Sequence, residues 1–227
     1  MQNKTLYENI KNKDVKEFIN KIPENIKYKL TRHEKTKVIT IKGDNIEKIY
    51  ISLQGKMEVK NEFENGFIYN FAQVESLAYI GAMEIMADEN FYSSTLQCIT
   101  DCIMIEMKVD DFIKWINQDQ KLTLSVLKFV SSSMYKQSLN KGEVLAYPAI
   151  YTLISYLKNT YENSNKETLL LQKSREEIGS LLGFSIRTIN RNLKVLKEEH
   201  LITVNRKTIS ISKEQYNKLS YKLESIK

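Results

Sequence analysis

The sequence predicts an α+β protein with a β-rich N-terminal domain, a long central helix, and a C-terminal domain in which a pair of helices precedes a hairpin. Three observations support this fold class. Short runs of alternating apolar and polar residues occur between residues 37 and 108, apolar residues then recur at helical spacing without proline up to residue 146, and a capped helix begins near residue 174. A period of two residues is typical of strands, and a period of 3.6 is typical of helices.

Length and composition are those of an ordinary globular protein. The chain has 227 residues, of which 42% are hydrophobic and 27% charged, and this length allows one large domain or two modest ones. No stretch approaches the roughly 20 consecutive apolar residues of a membrane-spanning helix, and the N-terminus lacks the apolar core of a signal peptide. We therefore expect a cytoplasmic protein with no membrane partner.

Positive charge is concentrated in the last third of the chain. The formal net charge is +6 at pH 7, and residues 146–227 contain 14 basic and 8 acidic residues, whereas residues 1–116 contain 16 basic and 18 acidic residues. A basic module beside a nearly neutral one suggests a polyanionic partner, most often nucleic acid.

Turn signals divide the β-rich domain, which we assign to residues 1–115. Short helices are expected first, ending near Pro23. Gly43-Asp44, Gln54-Gly55 and Asn65-Gly66 then separate the alternating runs, and Asn-Gly is the strongest short-range signal for a hairpin. Short strands at such regular intervals indicate a barrel or a sandwich.

Two cysteines, Cys98 and Cys102, lie in the strand-like part of this domain. They are too few for a disulfide framework, and their spacing does not match the paired ligands of a zinc site. We expect them to be small buried hydrophobic residues, and a redox switch is the alternative.

A long helix is predicted over residues 116–145. Leu127, Val130 and Met134 follow a 3,4 spacing that suits the seam of a dimer, as in a short coiled coil. The alternative is a helix whose apolar side packs within its own domain.

The segment that starts at Ser174 predicts two helices joined by a tight turn. Glu177 lies three residues after Ser174, the arrangement of a capping box. Gly183 can adopt the left-handed backbone that ends a helix, and Ser185 can cap the next one. Two short helices with a glycine-containing turn form a helix-turn-helix.

The second of these helices has an apolar side and a basic side. At 100° per residue, Ile189, Leu193 and Leu196 lie on one side, and Arg187 and Arg191 lie nearly opposite them. Taken alone, such a helix is usually the solvated face of an ordinary helix. The preceding capped helix and the alternating runs around Asn205-Arg206-Lys207 instead favour a winged helix-turn-helix, which we assign to residues 146–227.

The stretch SREEIGSLLGFSIRTINRNLKVLKEEHLI resembles the signature of the CRP/FNR family of bacterial transcription regulators. Upstream, Gly43-Asp44, Tyr50 and Gly55 are similarly placed to residues of the cyclic-nucleotide-binding fold. The resemblance extends across the chain. It implies an N-terminal antiparallel β-roll (a double-stranded β-helix) that serves as a sensor or effector domain, a dimerisation helix, a C-terminal winged helix-turn-helix, and RNA polymerase as a partner.

The resemblance also implies a ligand pocket, and here the sequence departs from the family pattern of Gly-Glu-Leu followed by Arg-Ser-Ala-Thr. Tyr92 stands where the arginine would be, so the charge-assisted pairing with a phosphate is lost. Glu84 is two residues away from the family's glutamate and is not expected to replace it. The residues of this degenerate effector pocket are Gly81, Ala82, Met83, Tyr92, Ser93 and Ser94.

No cofactor is expected. Cyclic AMP or GMP binding is not expected because a buried phosphate without a cation is costly. An iron–sulfur cluster needs a set of cysteines that the N-terminus lacks. Haem would need an axial ligand, but His200 falls in the DNA-binding domain and His33 is expected to be a surface histidine. An unknown small-molecule effector, a thiol state, or no effector at all remain the alternatives.

The predicted function is a homodimeric transcription regulator that binds a palindromic site in double-stranded DNA. Compared with the family, Arg187 replaces a glutamate and Ile186 replaces an arginine, which should change the preferred half-site. The alternative is a ligand-sensing or protein-interaction scaffold whose winged helix does not bind DNA specifically. Catalytic motifs are absent from the sequence, so an enzyme is not expected.

The residues expected to read bases are Ile186, Arg187, Asn190 and Arg191. Those expected to contact phosphates are Ser174, Arg175, Ser185, Lys194 and Lys207.

Overall fold

The computed structural model describes residues 2–64, 66, 68–205 and 208–226, with side chains for all of these except residues 2–4, 71, 140, 141 and 143–145. The chain divides into two compact units. The first consists of residues 1–62 and 70–135, and the second of residues 63–69 and 136–227.

The first unit begins with two short helices, α1 (Gln2–Asn9) and α2 (Lys13–Asn20). The side-chain oxygen of Asn12 caps α2 by accepting hydrogen bonds from the backbone N–H groups of Asp14, at 2.8 Å, and Val15, at 3.4 Å. Val15 and Ile19 on the inner side of α2 are buried in the core. The expectation of short helices before Pro23 is thus confirmed.

Two antiparallel sheets form the predicted β-roll. One sheet has the strand order β1-β8-β3-β6 and the other has the order β2-β7-β4-β5. A short helix, α3 (Ala82–Met86), follows β6. The strands are β1 (Lys29–His33), β2 (Val38–Thr40), β3 (Lys48–Gln54), β4 (Met57–Glu62), β5 (Ile68–Val74), β6 (Tyr79–Ile80), β7 (Thr95–Cys98) and β8 (Cys102–Lys108).

Alternation along the strands divides the buried residues of the roll into two clusters. Ile49, Ile51 and Leu53 on β3 join the helices in the main core, as the period of two in a strand requires. A second cluster connects the two sheets, because it contains residues of β4 and β7 together with residues of β8. Its buried members are Met57, Leu96, Cys98, Cys102 and Met104.

The turns of the roll follow the predicted glycines where the structure describes them. Gly55 lies between β3 and β4 with a φ of 102°. A Cβ atom at this position would lie 2.5 Å from the carbonyl oxygen of Asp101 and 2.6 Å from Sγ of Cys102, so both the backbone conformation and the space require glycine. Gly66 lies in the turn between β4 and β5, and Asn65 lies outside the described residues.

The central helical region is broken, which the sequence analysis did not predict. α4 (Val109–Gln118) ends at Asp119, and α5 (Gln120–Ala146) starts directly after it. Asp119 leaves the helical conformation, with φ −125° and ψ 95°. Its side chain accepts hydrogen bonds from the N–H groups of Lys121, at 3.0 Å, and Leu122, at 3.2 Å. The long helix therefore begins at Gln120 and not at Ile116.

The second unit contains the predicted helix-turn-helix and wing. Its sheet has the order β10-β11-β9, so the wing includes a third strand, β9, which the sequence analysis left without an assigned structure. Arg206 and Lys207, the predicted basic tip, lie outside the described residues. The elements are α6 (Ala149–Ser164), β9 (Thr168–Leu171), α7 (Arg175–Leu182), α8 (Ile186–Glu198), β10 (Thr203–Asn205), β11 (Thr208–Ser212) and α9 (Lys213–Ile226).

Candidate nucleic-acid interface

Hydrogen bonds fix both ends of α7. The Ser174 hydroxyl oxygen accepts from the backbone N–H of Glu177 at 3.0 Å, and the Glu177 carboxylate accepts from the backbone N–H of Ser174 at 2.6 Å. The predicted capping box is therefore present. At the other end Gly183 adopts the left-handed conformation, with a φ of 76°, and donates its N–H to the carbonyl of Gly179.

Gly179 determines how closely α7 approaches the turn. A Cβ atom at this buried position would lie 2.6 Å from the carbonyl oxygen of Phe184. Any larger residue would push the turn away from α7, since such a separation is well inside van der Waals contact. The turn then leads directly to Ser185, which caps α8 by accepting from the N–H of Thr188 at 3.2 Å.

The inner side of α8 is buried in the core of the second unit. Ile189, Leu193 and Leu196 are fully or almost fully buried there, as their spacing predicts. Asn192 lies on the same side with 6% exposure, and its Nδ2 atom has no hydrogen-bond partner among the described residues. The position of Asn192, three residues after Ile189, places it on the apolar side, and the pattern of apolar residues alone does not reveal it.

The outer side of α8 carries the four residues predicted to read bases. Ile186 is 44% exposed, and Arg187, Asn190 and Arg191 are all exposed. They lie within the first six residues of the helix, whose free N-terminal N–H groups give this end a partial positive charge. The structure therefore brings the predicted residues together on one accessible surface.

Four of the five residues predicted to contact phosphates lie on or beside α7 and α8 in the described part of the chain. Ser174 and Arg175 are half-buried at the start of α7, and Ser185 is exposed at the start of α8. A serine that accepts a capping hydrogen bond keeps its own O–H as a donor. Lys194 is exposed, with Nζ 3.8 Å from the Glu198 carboxylate, so its amino group can reach another anion. Lys207 lies outside the described residues.

Similarity to known proteins covers both parts of the chain. Residues 30–119 match the cyclic nucleotide-binding domain and residues 151–216 match the Crp-like helix-turn-helix domain. The chain belongs to the CRP/FNR family of transcription regulators.

Relatives of this CRP/FNR regulator are similar over most of their length. A cAMP-activated global transcriptional regulator CRP from Pasteurella multocida is 21% identical over 177 residues, which cover 74% of this chain and 83% of the relative. A global nitrogen regulator from Nostoc is 21% identical over 189 residues, covering 79% and 83%.

Solved structures share the fold. The c-di-GMP responsive global regulator CLP from Xanthomonas campestris has a TM-score of 0.69 at 16% identity, covering 82% of this chain and 94% of that chain. A CRP/FNR family regulator from Thermus thermophilus has a TM-score of 0.65 at 15% identity, covering 88% and 100%. The predicted fold class, a β-roll, a long helix and a winged helix-turn-helix, is confirmed.

In this CRP/FNR regulator the predicted dimer residues do not all share one environment. Leu127 and Met134 on α5 are 58% and 62% exposed, and the neighbouring Leu124 and Leu139 are also exposed. Val130 is half-buried and packs against the core of the first unit. The exposed apolar side of α5 therefore contains Leu127 and Met134, while Val130 faces the protein's own core.

In the segment predicted to form the degenerate effector pocket, the Tyr92 side chain is packed into the interior. Tyr92 is 7% exposed, and its hydroxyl donates to the carbonyl oxygen of Lys48 at 2.6 Å. Burial raises the pKa of the Tyr92 phenol far above its ordinary value. Gly81 makes room for the ring, since a Cβ atom there would lie 3.2 Å from Tyr92 Cε1 and 3.0 Å from Ile49 Cδ1.

The other residues predicted for the pocket lie in the same segment and differ in exposure. Ala82 is buried, Met83 and Ser94 are half-buried, and Ser93 is exposed. Ser93 donates hydrogen bonds from its N–H and its hydroxyl to the carboxylate of Glu84, a residue that the sequence analysis discounted. The contact joins residues nine positions apart, and local sequence patterns do not indicate it.

The histidine and the two cysteines of the first unit are all at least partly buried. His33 is half-buried, not a surface histidine as expected, because it lies on β1 with Nε2 3.0 Å from the Thr31 hydroxyl. Burial lowers its pKa. Cys98 and Cys102 are free and buried, and burial raises the pKa of both thiols. In the described part of the chain, no group of three or more His, Cys, Asp or Glu residues could hold a metal ion.

Within the residues that the structure describes, none of the helices has the combination of length and apolar character needed to cross a bilayer.

Proposed function

We propose that this regulator is a homodimer that binds a palindromic DNA site sequence-specifically and without control by a cyclic nucleotide. The observation that carries the proposal is the exposed outer side of α8. Arg187, Asn190 and Arg191 point into solvent from a helix whose inner side is fixed in the core. In helix-turn-helix proteins the second helix enters the major groove with its N-terminal residues at the base edges.

Each proposed reading residue has a definite chemical preference. Arg187 and Arg191 each offer a bidentate pair of donors, which suits the O6 and N7 acceptors of guanine. The Asn190 amide suits the N6 and N7 atoms of adenine. Ile186 can contact the methyl group of thymine. Arg187 in place of a glutamate and Ile186 in place of an arginine should therefore give a half-site different from that of the family.

Dimerisation follows from the exposed apolar side of α5. Leu127 and Met134 are more than half exposed on one chain, and contact with a second copy would remove both from water, at roughly 25 cal/mol for each Å² buried. In a symmetric dimer formed by this contact, each chain contributes one α8, so that each half-site of the DNA is contacted by one copy of the helix. The two helices would then enter successive major grooves about 34 Å apart.

Independence from cyclic nucleotides is supported by the pocket segment. Residues 80–95 contain no lysine or arginine, and the Tyr92 side chain occupies the region next to Gly81. A phosphate buried there would lose its hydration without gaining a cation from this segment. The relatives described as cAMP-activated are thus expected to differ from this protein in their control, while a contact with RNA polymerase is proposed for it as for the family.

Selection of bound sites from random double-stranded DNA, with and without cyclic AMP, tests the proposal. The expected product is a palindrome whose half-sites are about 10 base pairs apart, enriched equally under both conditions. Arg187→Ala and Arg191→Ala proteins serve as controls and should each lose preference at one position of the half-site. Lack of any enriched sequence would favour the scaffold alternative, and enrichment that depends on cyclic AMP would contradict the proposed independence.

A further inference from the structure

A buried carboxylate joins the two ends of the segment between β6 and β7 by hydrogen bonds. Glu84 is 8% exposed, although it is charged and lies near the start of α3. Its Oε1 atom accepts a hydrogen bond from the backbone N–H of Ser93 at 3.1 Å and another from the Ser93 hydroxyl at 2.6 Å. The second distance is in the range of charge-assisted O–H···O⁻ bonds, which are about twice as strong as neutral ones.

The same segment is held on its other side by the residues that precede β3. The N–H of Tyr92 donates to the carbonyl of Asp44 at 3.0 Å, and the N–H of Gly43 donates to the carbonyl of Tyr92 at 2.9 Å. The N–H of Ile46 donates to the carbonyl of Asn90 at 2.9 Å. Backbone bonds therefore fix the chain up to Tyr92, and the Glu84 carboxylate is the group that ties the next residue, Ser93, to α3.

We propose that Glu84 acts as an internal anion that occupies a binding site formed by the N–H and the hydroxyl of Ser93. Both donors converge on one carboxylate oxygen, which is the arrangement that would hold a free carboxylate or another small oxyanion. Because the anion is attached to the chain, the site is filled at every ligand concentration. The segment from Gly81 to Ser94 is then kept in one conformation by the protein itself.

The regulatory consequence rests on the proposed function in DNA binding. A β-roll that carries its own anion needs no diffusible anion to reach its ordered state, so DNA binding by the wild-type protein should not respond to small carboxylates. Loss of the Glu84 side chain should convert the protein into one whose ordered state, and DNA affinity with it, depends on an added anion.

The direct test uses the full-length Glu84→Ala protein and acetate. The substitution removes a CH₂ and a carboxylate, which acetate matches in size and charge. At a concentration ten times its Kd, acetate should raise the Tm of the variant by roughly 3 °C or more. Acetamide, which is neutral and of similar shape, should not do so. The matched control is Glu89→Ala, since Glu89 is an exposed carboxylate close by, and neither it nor the wild type should respond.

The Glu84→Gln protein tests whether the negative charge matters. Its amide keeps an acceptor of nearly the same shape, so a purely steric role would leave the Tm unchanged, whereas the proposal expects a lower Tm that acetate does not restore. A Glu84→Gln protein as stable as the wild type, or a Glu84→Ala protein that acetate does not stabilise beyond its effect on the control, would overturn the proposal. If Glu84→Ala does not fold by itself, recovery on refolding is compared in acetate and in acetamide, with the same two outcomes.

DNA binding is measured separately on the same proteins. The expected result is a drop in affinity of about tenfold for Glu84→Ala, within the usual range of coupling between two sites, restored by acetate, and no drop for Glu89→Ala. Absence of specific DNA binding by the wild type would contradict the proposed function. The effect of acetate on the Tm would still test the anion site independently. Equal DNA affinity of the wild type and Glu84→Ala, together with stabilisation by acetate, would show that the site exists and would overturn its regulatory role.

Discussion

Tyr79 on β6 and Ser125 on α5 are joined by a hydrogen bond of 2.8 Å between their hydroxyl groups. The Tyr79 side chain is 2% exposed, and its ring meets the ring of Phe129 edge-on, with centroids 5.7 Å apart. The strand that leads into the pocket segment and the first half of the long helix are thus connected by one polar and one aromatic contact.

Tyr79→Phe should lower the free energy of unfolding by about 1 kcal/mol, because the ring contact is kept while the hydroxyl bond is lost. Urea denaturation measures the change. In a Ser125→Ala background the same substitution should cost much less, since the partner is already gone. Equal costs in both backgrounds would show that the hydroxyl bond contributes nothing.

Gly55→Ala and Gly43→Ala form a matched pair of glycine substitutions. Both residues have positive φ values, 102° and 88°, so both variants acquire backbone strain. A Cβ atom at Gly55 would also collide with the Asp101 carbonyl, whereas nothing lies within 4 Å of one at Gly43. We expect Gly55→Ala to lose about 3 kcal/mol or more and Gly43→Ala about 1 kcal/mol. Thermal or urea unfolding measures the free energy of unfolding of the two variants. Equal losses in the two would contradict the expectation.

The thiols of Cys98 and Cys102 should be unreactive in the folded protein. Burial raises the pKa of the Cys98 thiol to about 12 and also raises that of Cys102, so neither forms the reactive thiolate at neutral pH. A thiol reagent should label both in guanidinium chloride and neither under native conditions. Rapid native labelling would contradict the prediction and favour the redox alternative.

The same pKa shifts predict the dependence of stability on alkaline pH. Unfolded thiols ionise near pH 8.5, whereas folded Cys98 stays protonated to about 12. The stabilisation is therefore complete below about pH 8.5 and is lost as the pH rises towards 12. Cys98→Ala should reduce the fall in stability measured by urea denaturation between these values, and an unchanged slope would contradict the assignment.

Leu127→Lys and Val130→Ala should have different consequences, although both residues fit the predicted dimer seam. A lysine at the exposed Leu127 should leave the fold intact and yield monomers in analytical ultracentrifugation. Val130 packs against the core, so Val130→Ala should lower the free energy of unfolding by about 1–2 kcal/mol and leave the dimer in place. Dimers of Leu127→Lys at micromolar concentration would contradict the proposed interface.

Arg191→Ala and Lys194→Ala separate reading from positioning on α8. Loss of Arg191 should cost about 1–3 kcal/mol of binding to the selected site and relax the preference at one base pair. Loss of Lys194 should weaken binding to all sequences alike and reduce the salt slope by about one. Fluorescence anisotropy with selected and scrambled duplexes at several salt concentrations distinguishes the two. A uniform loss from Arg191→Ala would assign that residue to phosphate contact instead.

Local patterns predicted the elements whose geometry depends on neighbours in the chain. The capping box of Ser174 and Glu177 and the glycine at 183 act within a few residues, so their types and spacing suffice. Asp119 was missed, although aspartate is a preferred N-cap residue, because the apolar residues on either side of it continue a helical pattern. The preference of aspartate for the N-cap position is the signal that indicates a break between α4 and α5.

Contacts that depend on the path of the chain in space could not be predicted in this way. The seam spacing of Leu127 and Val130 fits both a second copy and the protein's own core. Val130 packs against that core whereas Leu127 is exposed, and the spacing alone does not show this difference. The hydrogen bonds between Glu84 and Ser93 require the intervening residues to fold back on α3. A periodic pattern of apolar residues does not indicate such a fold-back.

On α8, the residues that hold the helix in place are different from the residues that face outward. Ile189, Leu193 and Leu196 are buried, whereas Arg187 and Asn190 are exposed, and substitutions at exposed positions usually change stability by less than about 0.5 kcal/mol. Under the proposed function, single mutations in a duplicated gene would therefore change its target promoters while its product continued to fold. The same separation makes the outer side of α8 a suitable region to randomise when operators of altered sequence are to be selected in the laboratory.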